Sequence, residues 1–572
     1  MRSRHAVRVG GLSLVIKWMQ FAMRQTTTAE VGPDGGRIAS SHRQALDRVL
    51  ALIAALAICG VLGGISLLVP PFIEDDSAAG FEAWHGTLLG APNSVIVPDP
   101  ANIAQDSFEF QTGWSPGQYL VPGAISLLGL PVGAAMTLTV ALALLCSLIG
   151  WMFVVRAFAP NTPLALLVVV LVGSFHYSTF AFRTYRGGEI LLQAVTPWLI
   201  LAANRLPEMS VVRAALLAAG AVLVAFMAKL TGLIVVAAAL VAASLVSIVV
   251  GRRISHGIIG GALGAATAFV VIYVTFLSRG PTPASELGLP LPLFGSIAFS
   301  SFVPWVAGIS WPELMTALFF GSRDSYSMPA GYLAVIVPPA LLIMYLVVGF
   351  RLETAQKLKL RYFSLASYAI VAVVFIFLFS RSANIYLEER HFRSVGTLLF
   401  VCALVNCPSA GTPIWARNVF LALGALMAFY GLGSFLVGKY RAAESQSLDR
   451  VSWTNQMVYD TPAVDFARDT FAREGRDALF VLPSLPLVVT LPTEARVIAI
   501  DLSWESESAT KQRQYSGRVP GHILVLLPNT IVDIVSGKIS VSKGPALLSE
   551  FKDYAPDAWH KRIFNTMTVF FQ

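Results

Sequence analysis

Charged residues are scarce in this chain of 572 residues. Lys, Arg, Asp and Glu make up 13% of it, about half of the roughly 25% that is usual in soluble domains. Hydrophobic residues make up 55%, and the mean hydropathy is +0.68. This composition excludes a protein that contacts only water, because most of the chain must lie against lipid or against other apolar helices.

The motifs of several other protein classes are also missing. The four cysteines lie in apolar segments and form no C-x-x-C pair, which argues against a disulfide framework or a zinc site. No glycine-rich phosphate loop precedes a helix in the polar C-terminal part, so nothing there indicates nucleotide binding. The net charge of +8 does not indicate nucleic acid as a partner, because the basic residues lie mainly in the N-terminal tail and in short interhelical loops.

Long apolar runs dominate what is present. A helix needs about 20 mostly apolar residues to cross a membrane. The runs that approach this length are 48–72, 133–157, 163–180, 187–204, 211–228, 230–250, 256–277, 330–350, 362–380, 391–407 and 414–437. We therefore predict an α-helical polytopic membrane protein with about 11 transmembrane helices. Two more apolar stretches, 119–131 and 292–320, contain prolines and are predicted to be re-entrant or interfacial.

The charges between these runs predict an orientation. Residues 1–47 form a basic tail, whereas the longest loop, 73–132, contains acids but no lysine or arginine. Because basic residues favour the cytoplasmic side, we predict a cytoplasmic N-terminus and a large first external loop. The transmembrane domain would cover 48–437, and an odd number of spans would leave the rest of the chain outside.

From about residue 440 the composition becomes that of a soluble protein. Thr461-Pro462 indicates the start of a helix that continues through Ala472. The later apolar or helical segments are Ala478–Leu482, Arg496–Leu502, His522–Leu527, Leu547–Tyr554 and Thr566–Phe571. Strands that alternate with helices in this way predict a small α/β domain over 440–572, outside the membrane.

Three adjacent acids, Glu74, Asp75 and Asp76, directly follow the first span. They are compatible with a solvated loop, with a general base for an acceptor hydroxyl or amine, and with oxygen ligands for a divalent cation. The residues alone leave these alternatives open. No cofactor is required by this pattern, and Mg²⁺ or Mn²⁺ is the cation that it allows.

Two further clusters lie in loops on the same predicted side. Arg186, Gly187, Gly188 and Glu189 stand before the fourth span, where Glu189 either caps the helix or contacts a ligand. Before the tenth span lies the run Glu388-Glu389-Arg390-His391-Phe392-Arg393. The planar guanidinium group of arginine suits phosphate oxygens. Arginines at a membrane surface also extend their side chains to lipid headgroups. Lys229, between two closely spaced spans, is a weaker candidate for the same role.

This layout resembles the GT-C superfamily of membrane glycosyltransferases, which includes protein mannosyltransferases and the aminoarabinose transferases of lipid A. The resemblance rests on the acidic triplet after the first span, on the run from Glu389 to Arg393 in a later external loop, and on the soluble external end. It implies transfer of a sugar from a polyprenyl-phosphate-linked donor to an acceptor on the external face of a bacterial inner membrane.

The resemblance also implies roles for individual residues. Asp75 or Asp76 would deprotonate the acceptor, and Arg390 or Arg393 would stabilise the leaving phosphate. The residues implied in substrate binding are Glu74, Arg186, Glu189, Arg390, His391 and Arg393. The implied partners are the lipid-linked sugar donor, membrane lipids and a glycan, lipid or protein acceptor.

Other functions remain as alternatives. A transporter or flippase of lipid-linked saccharides usually has ionisable residues at mid-membrane, and the predicted spans have almost none. A polysaccharide polymerase or ligase typically has its large external loop late in the chain, whereas the longest loop here is the first. A non-catalytic accessory subunit, whose C-terminal domain recruits a partner, is compatible with the sequence.

Overall fold

The computed structural model describes residues 35–99, 102–160, 163–251, 255–279, 293–319, 328–347, 354–380, 388–407, 412–444, 448–455, 459–499, 521–529 and 559–571. Most of the predicted N-terminal tail and the predicted helix at Leu547–Tyr554 lie outside these residues. The backbone of Asp75 and Asp76 is described, but their side chains are not.

Helices make up most of the described chain up to Glu444. In chain order they are α1 Gly35–Leu68, α2 Asp75–Leu88, α3 Gly117–Ser126, α4 Val132–Phe158, α5 Ala165–Ser174, α6 His176–Phe180, α7 Gly187–Arg205, α8 Val211–Ala228, α9 Gly232–Gly251, α10 His256–Ile272, α11 Leu293–Ala307, α12 Trp311–Phe319, α13 Met328–Val347, α14 Ala355–Ser380, α15 Arg393–Asn406 and α16 Ile414–Glu444. A short 3-10 helix, Glu389–Phe392, precedes α15.

Seven of the described helices are long and apolar enough to cross a membrane. They lie in α1, α4, α8, α9, α10, α14 and α16. Shorter apolar helices lie at Ala165–Ser174, Gly295–Ala307 and Ile336–Leu346. The predicted class, a helical membrane protein that crosses the bilayer many times, is thereby confirmed.

The predicted span 163–180 is divided between α5 and α6. Phe175 between them has an extended backbone, with φ −63° and ψ 150°. Gly431 of α16 packs against the backbone at this break, where a Cβ atom would collide with the carbonyl oxygen of Ser174. The hydroxyl of Thr179 donates to the carbonyl of Gly431 at 3.0 Å, so α16 provides a partner for the interrupted helix.

The predicted first external loop is itself folded. It contains α2, the antiparallel strands β2 Ser94–Asp99 and β3 Asn102–Phe110, and α3. Gly123 of α3 allows the ring of Trp84 from α2 to approach closely, because a Cβ atom at this position would lie 2.5 Å from that ring. The loop is therefore a packed layer.

A small sheet joins three distant parts of the chain. Its strands are β1 Phe72–Ile73, β4 Thr184–Tyr185, β5 Leu448–Asp449 and β6 Thr454–Asn455, in the order β4-β1-β6-β5. The central strand β1 is parallel to both β4 and β6. The side chain of Asn455 donates to the carbonyl of Pro70 at 2.8 Å. We call this the four-strand sheet.

The C-terminal part contains helix α17 Thr461–Glu474 and the strands β7 Ala478–Leu482, β8 Arg496–Ala499, β9 His522–Pro528, β10 His560–Ile563 and β11 Met567–Phe571. The strand order is β10-β11-β9-β7-β8, with β8, β7 and β9 parallel. Helix α17 begins one residue after the N-cap Asp460, whose carboxylate accepts from the amide of Ala463. Its buried face packs on the sheet, which gives the predicted α/β arrangement.

Asp449 connects the four-strand sheet to this α/β region. Its side chain is only 1% exposed and pairs with Arg468 of α17 at 3.0 Å. Its carboxylate also accepts from the hydroxyl of Tyr459 at 2.8 Å and from the amide of Ser452 at 3.1 Å. Burial alone would raise the pKa of Asp449, but these hydrogen bonds and Arg468 lower it below its ordinary value.

Candidate active site

The register of β1 and β4 brings the first two predicted clusters together. Phe72 pairs with Thr184 and Ile73 with Tyr185, so the next residues on the two parallel strands, Glu74 and Arg186, lie side by side. Their carboxylate and guanidinium are 2.9 Å apart. Glu74 is the N-cap of α2 but makes no capping bond with its side chain. Its carboxylate is directed to Arg186 instead.

The first turns of α2 and α7 are adjacent. The amide of Gly187 donates to the hydroxyl of Ser77 at 3.3 Å. A Cβ atom at Gly187 would lie 2.7 Å from the Cβ atom of Gln118, so this close approach requires glycine. Asp75 and Asp76 are the first two residues of α2. Their backbone therefore lies beside the start of α7, although their side chains fall outside the described atoms.

Glu189, in the first turn of α7, forms ion pairs with two basic side chains. Its Oε1 atom is 2.5 Å from Nζ of Lys229 and 3.5 Å from Nη1 of Arg390. Lys229 lies between α8 and α9, where burial lowers its pKa and Glu189 opposes that change. Arg390 also pairs with Glu388, with 2.5 Å between Nε and Oε2. The predicted second and third clusters thus meet at Glu189.

Arg393, the first residue of α15, has acidic partners of its own. Its Nη2 atom is 2.7 Å from Oε1 of Glu313 and 3.3 Å from Oε1 of Glu389. Glu313 belongs to α12, and its backbone carbonyl accepts from the hydroxyl of Tyr430 at 3.0 Å. The aromatic ring of Tyr430 stacks on His176.

Some of these groups line one small, partly open cavity. Three arginines and one glutamate, Glu189, are the charged residues of its described lining. The lining consists of Trp151, Tyr177, Phe180, Ala181, Arg186, Glu189, Ile190, Leu192, Gln193, Thr196, Arg390, Arg393, Ser394 and Thr397. We call it the arginine cavity.

Some donors at the arginine cavity have no hydrogen-bond partner among the described residues. The Nε atoms of Arg186 and Arg393 and the indole nitrogen of Trp151 are buried, and none has a hydrogen-bond partner in the described part of the chain. Because buried polar groups are normally paired, such donors suggest a ligand or ordered water. The guanidinium donors among them suit the oxygen atoms of an anionic ligand.

The predicted site residues are distributed unequally around this cavity. The cavity is lined by Arg186, Glu189, Arg390 and Arg393. Glu74 is not part of the described lining but forms an ion pair with Arg186. The ring of His391 stacks on Phe375 at 5.5 Å between centroids and is not part of the described lining. The predicted roles of all these residues, and of Asp75 and Asp76, stay predictions.

Sequence reasoning did not single out Glu313. It is the one charged residue in the apolar stretch 292–320. An isolated ionisable residue in such a stretch usually has a partner or a function, and this feature of the sequence could have identified Glu313. Thr196, Thr397 and Trp151 were also missed. They lie inside apolar helices, and nothing in the local sequence distinguishes them from packing residues.

No group of three or more His, Cys, Asp or Glu side chains that could hold a metal ion occurs among the residues whose side chains are described. The side chains of Asp75 and Asp76 do not belong to that set. The predicted Mg²⁺ or Mn²⁺ site therefore stays a prediction.

Comparison with known proteins gives a structural likeness only. No protein-family profile and no curated protein matches the chain. Among solved structures it is similar to ArnT from Cupriavidus metallidurans bound to undecaprenyl phosphate, with 13% sequence identity, a TM-score of 0.48, and coverage of 91% of this chain and 97% of that chain. For the apo state of the same ArnT the identity is 12% and the TM-score 0.49, with the same coverage. A likeness at these values does not define an activity, which has to be inferred from the side chains of the arginine cavity.

Proposed function

We propose that this protein is a membrane glycosyltransferase that moves a sugar from a polyprenyl-phosphate-linked donor to an acceptor on the external face of the membrane. One observation carries the proposal. Arg186, Arg390 and Arg393 come from two separate segments of the chain and line one cavity. Arg186 and Arg393 each keep a buried Nε donor without a partner in the described chain.

A phosphate group fits this arrangement. Guanidinium groups bind phosphate oxygens through parallel hydrogen bonds. In the proposed reaction the phosphodiester of the donor, with one negative charge, becomes a phosphomonoester that carries about −1.5 to −2 at neutral pH. Arginines that are already fixed by Glu74, Glu189 and Glu313 stabilise this added charge without further reorganisation.

The uncharged groups of the cavity suit a sugar. The hydroxyls of Tyr177 and Thr397 are 3.1 Å apart, and those of Thr196 and Ser394 are 3.0 Å apart. Trp151 is almost fully buried at the wall of the cavity, and its indole N–H has no hydrogen-bond partner in the described chain. Sugar hydroxyls can join such pairs as donors or acceptors.

The acidic triplet supplies the proposed base. The carboxylate of Glu74 is engaged by Arg186, which stabilises its charged form and weakens it as a base. This favours Asp75 or Asp76. The acceptor oxygen or nitrogen attacks the anomeric carbon and loses its proton to that carboxylate. The bond between the anomeric carbon and the phosphate oxygen breaks, and the electron pair leaves with the phosphate.

The test is release of polyprenyl phosphate from a panel of polyprenyl-phosphate sugars by the purified protein in proteoliposomes. We expect Asp75→Asn or Asp76→Asn to lower the rate by about 10²- to 10⁴-fold, and Asp469→Asn, on the exposed side of α17, to leave it unchanged. EDTA, followed by Mg²⁺ or Mn²⁺, tests the predicted cation. Movement of the intact donor across the bilayer without release of polyprenyl phosphate would support a flippase instead.

A further inference from the structure

Behind one wall of the arginine cavity lies a cluster of three ionisable side chains, Glu313, Glu389 and Arg393. One guanidinium nitrogen, Nη2, contacts both carboxyl groups, at 2.7 Å and 3.3 Å. The side chains of Arg393, Glu313 and Glu389 are 14%, 16% and 19% exposed. Arg393 lines the cavity, whereas neither acid belongs to its described lining.

The charges in this cluster do not balance if both acids are ionised. The other cations nearby have their own partners, since Lys229 and Arg390 pair with Glu189 and Arg186 pairs with Glu74. The other titratable groups near the cluster are His176 and Tyr177 from α6, Tyr430 from α16, and Arg183. Two carboxylates beside one guanidinium repel each other in a poorly solvated place, so one of them is expected to hold a proton.

The hydrogen bonds indicate where that proton lies. Oε2 of Glu313 is buried and accepts from no nitrogen or hydroxyl donor in the described chain. The Oε1 atoms of Glu313 and Glu389 both contact Nη2 of Arg393, at 2.7 Å and 3.3 Å, so the two carboxyl groups lie next to each other. Burial and the adjacent Glu313 raise the pKa of Glu389 well above its ordinary value. Burial also acts to raise the pKa of Glu313, but Arg393 lowers it overall.

We propose that Glu313 and Glu389 share one proton and together hold Arg393 by Nη2, so that its Nε faces the ligand of the arginine cavity. The two acids are then positioning residues, because neither contacts the ligand itself. This inference rests on the proposed function only in naming that ligand a phosphate. The inference of a shared proton rests only on the cluster of Glu313, Glu389 and Arg393.

Infrared difference spectroscopy of the purified protein tests the shared proton. At neutral pH the wild type is expected to show the carbonyl band of a protonated carboxylic acid. The band should be absent from Glu389→Gln, because Arg393 keeps Glu313 ionised, and from Glu313→Gln, because Glu389 then ionises beside Arg393. Glu208→Gln, on an exposed turn after α7, should retain it. A spectrum that is identical in all four proteins would overturn the proposal.

Binding of a short-chain isoprenyl phosphate tests the positioning role. Glu389→Gln imitates the protonated carboxyl and is expected to change the Kd less than about twofold. Glu313→Gln leaves Arg393 with only the longer 3.3 Å contact to the ionised Glu389 and should raise the Kd about tenfold. Equal effects, or tighter binding by Glu313→Gln, would contradict this role. If the wild type does not bind isoprenyl phosphate, the proposed function fails, and the infrared result still decides on the shared proton.

Discussion

Two buried ion clusters in this protein differ in how completely their polar atoms are paired. Asp449, which joins the four-strand sheet to α17, accepts hydrogen bonds from backbone amides, hydroxyls and Arg468. At the arginine cavity, Oε2 of Glu313 and Nε of Arg393 have no hydrogen-bond partner among nitrogen and hydroxyl groups in the described residues. A fully paired cluster fixes a structure. An incompletely paired cluster beside a cavity, in which Nε of Arg393 is not used, leaves a donor for a ligand.

Among the substitutions that distinguish the two clusters, Arg393→Gln is expected to have the largest effect on activity. Loss of one guanidinium that stabilises developing phosphate charge should lower kcat/KM about 10²- to 10³-fold. The melting temperature should fall less than in Asp449→Asn. Steady-state release of polyprenyl phosphate and thermal unfolding in detergent measure both quantities. Arg417→Gln, on α16 away from the cavity, is the matched control. If Arg393→Gln lowered the melting temperature strongly but kept its activity per folded molecule, Arg393 would be a structural residue and the comparison of the two clusters would be wrong.

Asp449→Asn is expected to show the opposite pattern. Removing one partner of a buried ion pair costs about 3–5 kcal/mol. The cost here should lie near the lower end, about 3 kcal/mol, because Arg468 keeps Asp465 as a second partner at 3.3 Å. We therefore expect a lower melting temperature and greater proteolysis near the hairpin of β5 and β6. The activity of the remaining folded protein should change by less than about tenfold. A specific loss of activity at unchanged stability would show that this hairpin takes part in the reaction.

The pH dependence of stability should have opposite signs for the two clusters. The pKa of Asp449 is lowered in the folded protein, so its contribution is present above the ordinary aspartate pKa and is lost as the pH falls through the lowered value. The pKa of Glu389 is raised, so its contribution is present below the ordinary glutamate pKa and is lost as the pH rises through the raised value.

Each slope is at most about 1.4 kcal/mol per pH unit. Thermal unfolding between acidic and mildly alkaline pH measures these slopes. Asp449→Asn should flatten only the side of the profile below the ordinary aspartate pKa, and Glu389→Gln only the side above the ordinary glutamate pKa. If either substitution flattened both sides, the two clusters would not be independent.

The sequence predicted the long elements because their patterns are local. Apolar runs indicated the spanning helices, and the run Ala478–Leu482 became β7 with the same bounds. The four-strand sheet could not be predicted in this way, because strands of two residues have no periodicity. The position of Glu313 beside Arg393 also depends on packing between α12 and α15, and Gly308 and Gly396 approach each other near that point. Sequence reasoning therefore found the arginines of the site and missed the acid that holds one of them.

The four-strand sheet has a consequence for the biosynthesis of this protein. Strand β1, which positions Glu74, receives its second neighbour from β6, and Asn455 binds Pro70 across 385 residues of chain. A ribosome must therefore translate most of the protein before the segment around the acidic triplet can adopt its final structure. During insertion, the early spans are in place while this segment still lacks one side of its sheet. The segment that bears the acidic triplet thus completes its fold only after Asn455 has been made.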